Sequence, residues 1–144
     1  MPRIEIRKII TINKDRLFQT VFRYQDYPKF VYGLKSVRVV RTGTNRARVT
    51  YQLALIKNIV FTLDHIEDKH LGTIQWSLVK SNFFDTVTGH WKVKDLGPGR
   101  CEVEYMLELE SKTPIPRLIL YHLIKRVAPA ILNCFEKQAR SACC

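Results

Sequence analysis

The chain has 144 residues, 46% hydrophobic and 26% charged, the balance of a globular domain that builds its own core. Twenty-four Lys and Arg stand against 13 Asp and Glu, a net charge of +11 that favours anionic partners: nucleic acid, ribosomes or an anionic membrane surface. Six Gly and six Pro exclude a collagen-like or low-complexity chain, and no apolar run nears the ~18 residues of a membrane span.

Arg3 to Thr11 alternates, with Ile4, Ile6 and Ile10 on one side, and predicts a strand. Asn13 or Asp15 then caps a helix to about Tyr24, with Leu17, Phe18, Val21 and Phe22 on one stripe. Asp26 is placed to cap a second, short helix that carries Pro28 in its first turn and ends near Gly33. From Lys35 the period becomes two. Val37 and Val39 open a strand, Gly43-Thr44-Asn45 turns it, and Arg46 to Ile56 alternates Ala47, Val49, Tyr51, Leu53 and Leu55 against Arg46, Arg48, Thr50 and Gln52.

Asn58 to Asp68 is the next strand, with Ile59, Phe61 and Leu63 on one face. Thr73 to Lys80 follows, carrying Ile74, Trp76 and Leu78, and then Asp85 to Lys94, carrying Val87, Trp91 and Val93. Gly97-Pro98-Gly99 makes a turn before the clearest strand, Arg100 to Glu110. There Cys101, Val103, Tyr105, Leu107 and Leu109 face inward, and Glu102, Glu104, Glu108 and Glu110 face water. After Pro114-Ile115-Pro116 the period returns to 3.6, predicting one long helix from Pro116 to Ala142 with Leu123, Val127, Ile131 and Phe135 on its inward stripe. Pro129 lies inside it and should bend it.

Charge is uneven along the chain. Residues 1–57 hold 13 basic against 3 acidic residues, hence +10; residues 58–113 hold 6 against 9, hence −3; residues 114–144 hold 5 against 1, hence +4. On the second and third strands Arg38, Arg41, Arg46 and Arg48 form a candidate patch for an anionic partner. Arg41 has the parity of Val37 and is its least secure member. The alternative is a face that is simply solvated.

Little in the sequence speaks for catalysis or a metal. The four cysteines, Cys101, Cys134, Cys143 and Cys144, include no CxxC pair, so no zinc site is expected. Cys134 reads as a core thiol, and the adjacent Cys143-Cys144 pair supports lipidation only weakly. His65 follows Asp64 in a strand, so their side chains diverge; His70 falls in a turn; His90 faces away from Trp91; His122 lies off the apolar stripe. No nucleophile–base arrangement, P-loop or GxGxxG follows from this order, so we assign no catalytic residue and no cofactor.

The order is a strand, two helices, six antiparallel strands and a long helix, an α+β arrangement in which only the last helix is large enough to cover the concave face of the sheet. Here the chain resembles the helix-grip (START-like, SRPBCC) superfamily, and within it the polyketide cyclase/dehydrase group that includes coenzyme Q-binding proteins and ribosome-association toxins. Asp26-Tyr27-Pro28-Lys29-Phe30, Val37-Arg38-Val39-Val40 and Gly89-His90-Trp91-Lys92-Val93 before the Gly97-Pro98-Gly99 turn carry the resemblance. It implies a single START-like domain over residues 1–144 and a hydrophobic tunnel between sheet and helix for a lipid, quinone or polyketide-like ligand.

The aromatic residues of the concave strands agree with it. Tyr51, Phe61, Trp76, Trp91 and Tyr105, with Leu123 and Val127 from the helix, are the candidate cavity wall. Binding or transport of a hydrophobic small molecule is one reading. A ribosome- or RNA-associated regulator is a second, and a cyclase or aromatase using tunnel-lining Tyr or His groups a third. No DNA partner is expected, since no recognition motif accompanies the basic charge. The charged start, Met1 to Glu5, is unlike a secretory leader, so the expected address is cytoplasmic, with the option of a peripheral membrane position.

Overall fold

The computed structural model describes residues 3–31, 33–54 and 58–141; within them the side chains of Leu120, Leu123, Ile124 and Ser141 are outside the description. Seven strands, β1 (Arg3–Ile10), β2 (Leu34–Gly43), β3 (Arg46–Ala54), β4 (Asn58–Asp68), β5 (Thr73–Ser81), β6 (Phe84–Asp95) and β7 (Cys101–Ser111), form one antiparallel sheet. Their order is β1-β7-β6-β5-β4-β3-β2. After β1 the chain crosses to the far edge and returns strand by strand until β7 pairs with β1.

That crossing is made by α1 (Lys14–Phe22) and a 3-10 turn (Tyr24–Lys29). Asn13 caps α1 by accepting the Asp15 N–H at 2.8 Å, and Leu17, Phe18 and Val21 are buried on its inward stripe. The second helix differs from expectation. It begins at Tyr24, two residues before Asp26, whose N–H donates to the Arg23 carbonyl and whose carboxylate pairs with Lys29 at 3.4 Å. Pro28 has no N–H to donate, which suits a short, tight turn. The buried rings of Tyr24 and Tyr27 hold this turn to the core, and the Tyr27 hydroxyl donates to the Val21 carbonyl.

The strands follow the alternation closely, because a one-residue slip would turn each apolar set to water. Gly89 is required where it stands. It faces Trp76 across the β5–β6 pair, and a Cβ there would lie 2.3 Å from the Met106 carbonyl oxygen and 2.6 Å from the Trp76 ring. Its missing side chain lets the indole lie flat on β6.

The C-terminal helical run comprises α2 (Arg117–His122), a π turn (Leu123–Val127) and α3 (Ala128–Ser141). The expected disturbance from Pro129 takes the form of this π turn just ahead of it. Pro129 offers no N–H to the Lys125 carbonyl and its ring crowds that carbonyl, so the preceding turn widens. Lys8 of β1 donates to Asn133 at 2.8 Å and pairs with Glu136 at 3.1 Å, and Arg140 reaches Thr11 at 2.6 Å. These contacts tie α3 to the start of the chain. Its inward residue Phe135 meets Trp91, Tyr27 and Phe30 edge-on, with centroids 4.9–5.1 Å apart.

Candidate functional site

Between the concave face of the sheet and α3 lies a cavity of about 260 Å³. Ligand clefts usually hold ~300–1,000 Å³, so this one suits a small occupant. Tyr51, Phe61, Trp76, Trp91 and Tyr105 all line it, from five different strands, together with Val127 from the helical run. The Leu123 side chain lies outside the described residues. The rings brace one another along the wall: Tyr51 stacks on Phe61 at 5.1 Å, and Tyr105 contacts Trp76 at 5.7 Å and Trp91 at 5.0 Å. Because neighbouring aromatic residues support each other laterally, they hold the cavity wall without filling the space in front of it.

One end of the cavity is polar, and the candidate wall omitted it. On β4 the parity of Ile59, Phe61 and Leu63 continues through His65 and Glu67, both buried. The Tyr51 hydroxyl lies 2.8 Å from His65 Nε2. The Tyr24 hydroxyl donates to Glu67 Oε2 at 2.6 Å, and Arg41 donates to Glu67 Oε1 at 2.9 Å. His65 and Tyr24 line the cavity, and their rings lie 4.7 Å apart. The signal was present in the sequence: alternation carried two residues further puts a histidine and a glutamate on the inner face.

Burial sets the protonation states here. It drives the His65 imidazole down to about 4, with the Asp64 charge opposing, so the ring is neutral near pH 7. Burial pushes the Tyr51 hydroxyl far above its ordinary range and the Tyr105 hydroxyl up to about 12. Tyr24 is raised further, first by burial and then by its bond to Glu67. Every phenol at the site therefore remains a hydrogen-bond donor. The other histidines lie elsewhere; His90 is on the outer face, 3.0 Å from Glu104.

The four arginines of the basic patch divide between the faces. Register places Arg38 opposite Thr50, and Arg46 and Arg48 opposite Ile66 and Asp64, all on the outer face. Arg48 is bonded to Asp64 through two nitrogens, at 2.8 and 3.1 Å. Arg41 does not join them. It sits opposite Ala47 on the inner face, where that small residue leaves room for the guanidinium to reach Glu67. Arg38 and Arg46 have no ion-pair partner among the described residues.

A seven-stranded sheet closed over a cavity by a C-terminal helix is the architecture against which known proteins can be compared. The family described as polyketide cyclase/dehydrase and lipid transport matches residues 10–136. The chain belongs to this family. Two relatives from Escherichia coli are similar along nearly the whole chain. One is the persistence and stress-resistance toxin PasT, 25% identical over 142 residues, covering 97% of this chain and 88% of the relative. The other is the ribosome association toxin RatA, 24% identical with the same coverage. Among solved structures, a Thermus thermophilus protein superposes with a TM-score of 0.88 at 17% identity, over 99% of this chain and 100% of its own. The Zhui aromatase/cyclase of a Streptomyces species superposes with a TM-score of 0.84 at 13% identity, over 96% and 93%. A START superfamily protein from Mycobacterium smegmatis superposes with a TM-score of 0.80 at 14% identity, over 97% of this chain and 98% of its own, so the chain has the START-like helix-grip fold. No helix among the described residues is long and apolar enough to cross a membrane.

Proposed function

We propose that residues 1–144 act as one domain that binds and transports a hydrophobic small molecule, of lipid, quinone or polyketide-like class. Its site is the cavity walled by Tyr51, Phe61, Trp76, Trp91, Tyr105 and Val127. The observation that carries this reading is the apolar space of about 260 Å³ left between sheet and helix, rimmed by aromatic rings that support one another without closing it. Filling such a space with an apolar ligand removes its surface from water, which is favourable. Native mass spectrometry and organic extraction of the purified protein test the reading. A hydrophobic compound recovered at about one per chain is expected; a chain that carries none and takes up no apolar dye is the opposing result.

A second reading, association with the ribosome, is favoured by the name of the relative RatA and by the outer-face residues Arg38, Arg46 and Arg48. The same face would serve an anionic membrane surface at which a carrier loads or unloads. Co-sedimentation with ribosomes and with phosphatidylglycerol vesicles separates the two. Either contact should weaken steeply with salt, since the screening length falls from ~10 Å at 0.1 M to ~3 Å at 1 M.

A further inference from the structure

His65 is 4% exposed, and its Nδ1 has no hydrogen-bond partner among the described residues. Its other nitrogen, Nε2, meets the Tyr51 hydroxyl at 2.8 Å. The Tyr51 O–H is itself buried and has His65 Nε2 as its partner. A buried hydroxyl that donates to nothing is costly, so the phenol donates and Nε2 accepts. A neutral imidazole carries one proton, which this bond leaves on Nδ1. The result is a buried N–H with no acceptor, on a residue that lines the cavity.

We propose that His65 Nδ1–H is the polar anchor of the cavity, donating a hydrogen bond to an acceptor oxygen, a carbonyl, on an otherwise apolar and uncharged ligand. This rests on the cavity being the binding site. It adds the ligand's chemical class and the direction in which it lies, oxygen toward β4 and apolar body along the aromatic wall. Glu67 decides against a carboxylate. It stands two residues along the same face of β4, ~7 Å away, and its basic partner among the described residues, Arg41, is already engaged. A second anion there would meet repulsion from Glu67 that Arg41 is not free to offset. The wall beyond His65, Trp76 and Tyr105 among it, offers ring faces to the rest of the molecule.

Three naphthalene probes fit the test: 2-acetylnaphthalene, 2-ethylnaphthalene and 2-naphthoate, titrated into wild-type protein and into His65→Leu combined with Tyr51→Phe, which removes the phenol that would otherwise be left free to donate. The preference for the ketone over the hydrocarbon should fall roughly 3- to 10-fold in the double variant, the worth of one neutral hydrogen bond. The naphthoate should bind weakest to the wild type. Nitrogen-15 NMR of labelled imidazoles in wild-type protein supplies a readout that needs no variant. The Nδ1–H tautomer is expected, with its proton moving downfield on adding the ketone and holding still on adding the hydrocarbon. An Nε2–H tautomer, or a ketone preference equal in the two proteins, overturns the anchor and leaves the cavity reading standing. Failure of all three probes to bind wild-type protein overturns both.

Discussion

Two arginine–carboxylate pairs hold β4 to other strands, one to its neighbour β3 on the outer face and one to β2 beyond it on the inner face. On the outer face Arg48 meets Asp64, its direct register neighbour, through two nitrogens at 2.8 and 3.1 Å. On the inner face Arg41 reaches past β3 to Glu67 with one bond of 2.9 Å. By geometry the outer pair is the better made. Yet the Asp64 side chain is 42% exposed and that of Glu67 only 5%. Water competes for the outer pair, and exposed pairs of this kind contribute little. Glu67 has been taken out of water and depends on the two donors it found, Arg41 and Tyr24. The same chemistry is thus decoration on one face and a structural requirement on the other, and burial makes the difference.

The largest expected effect is from Glu67→Leu. It leaves the buried Tyr24 hydroxyl with no acceptor, and thermal or urea unfolding should register a loss of about 3 kcal/mol. Adding Tyr24→Phe should recover part of it, since both ends of the bond are then gone. If Glu67→Leu and Asp64→Leu melt alike, the contrast between the faces is wrong.

A pH titration sharpens the same contrast through His65. Its folded pKa, about 4, lies below the ordinary value of 6.5, so the unfolded chain binds the extra proton first. Stability is therefore full above pH ~6.5 and declines as pH falls toward 4, by about 2 kcal/mol between pH 7 and 5. Denaturation midpoints across that window should show the slope in wild-type protein and its absence in His65→Leu.

Asp64→Asn is expected to move the melting temperature very little, because Arg48 returns to water. The smallest expected change in stability accompanies Arg38→Glu with Arg46→Glu, which break no ion pair among the described residues. Their readout is elsewhere. Co-sedimentation with ribosomes or anionic vesicles at low salt should drop, and unchanged sedimentation would reduce this face to a solvated surface.

The strands were legible in the sequence because alternation is a local property, and runs such as Cys101 to Leu109 leave one register that buries them. The aromatic wall was legible for the same reason. The polar end was legible only in part. Alternation along the Asn58–Asp68 strand puts His65 and Glu67 on the inner face, but what buries and bonds them comes from elsewhere: Tyr24 from the 3-10 turn, Tyr51 from β3, Arg41 from β2. Nor does sequence spacing say that Ala47 opens the way for Arg41. Pro129 announced a disturbance in the helix, but whether a proline yields a kink or a π turn depends on how the preceding turn packs.

The pairing of β1 with β7 sets a timetable for synthesis. Arg7 bonds Glu104, 97 residues later, so β1 leaves the translation machinery long before its partner exists. At ~5–20 residues per second the wait is on the order of 5–20 s. The meander from β2 to β7 needs only neighbouring strands and can assemble as it emerges, whereas β1 pairs last. Its outward residues Arg3, Glu5 and Arg7 are charged, which keeps a waiting strand from pairing with other nascent chains. Because α3 is anchored to Lys8 and Thr11, the helix that covers the cavity locks in place only after it has emerged behind β7. A nascent chain stalled before β7 would expose the aromatic wall to solvent as a bare surface, a natural substrate for chaperones.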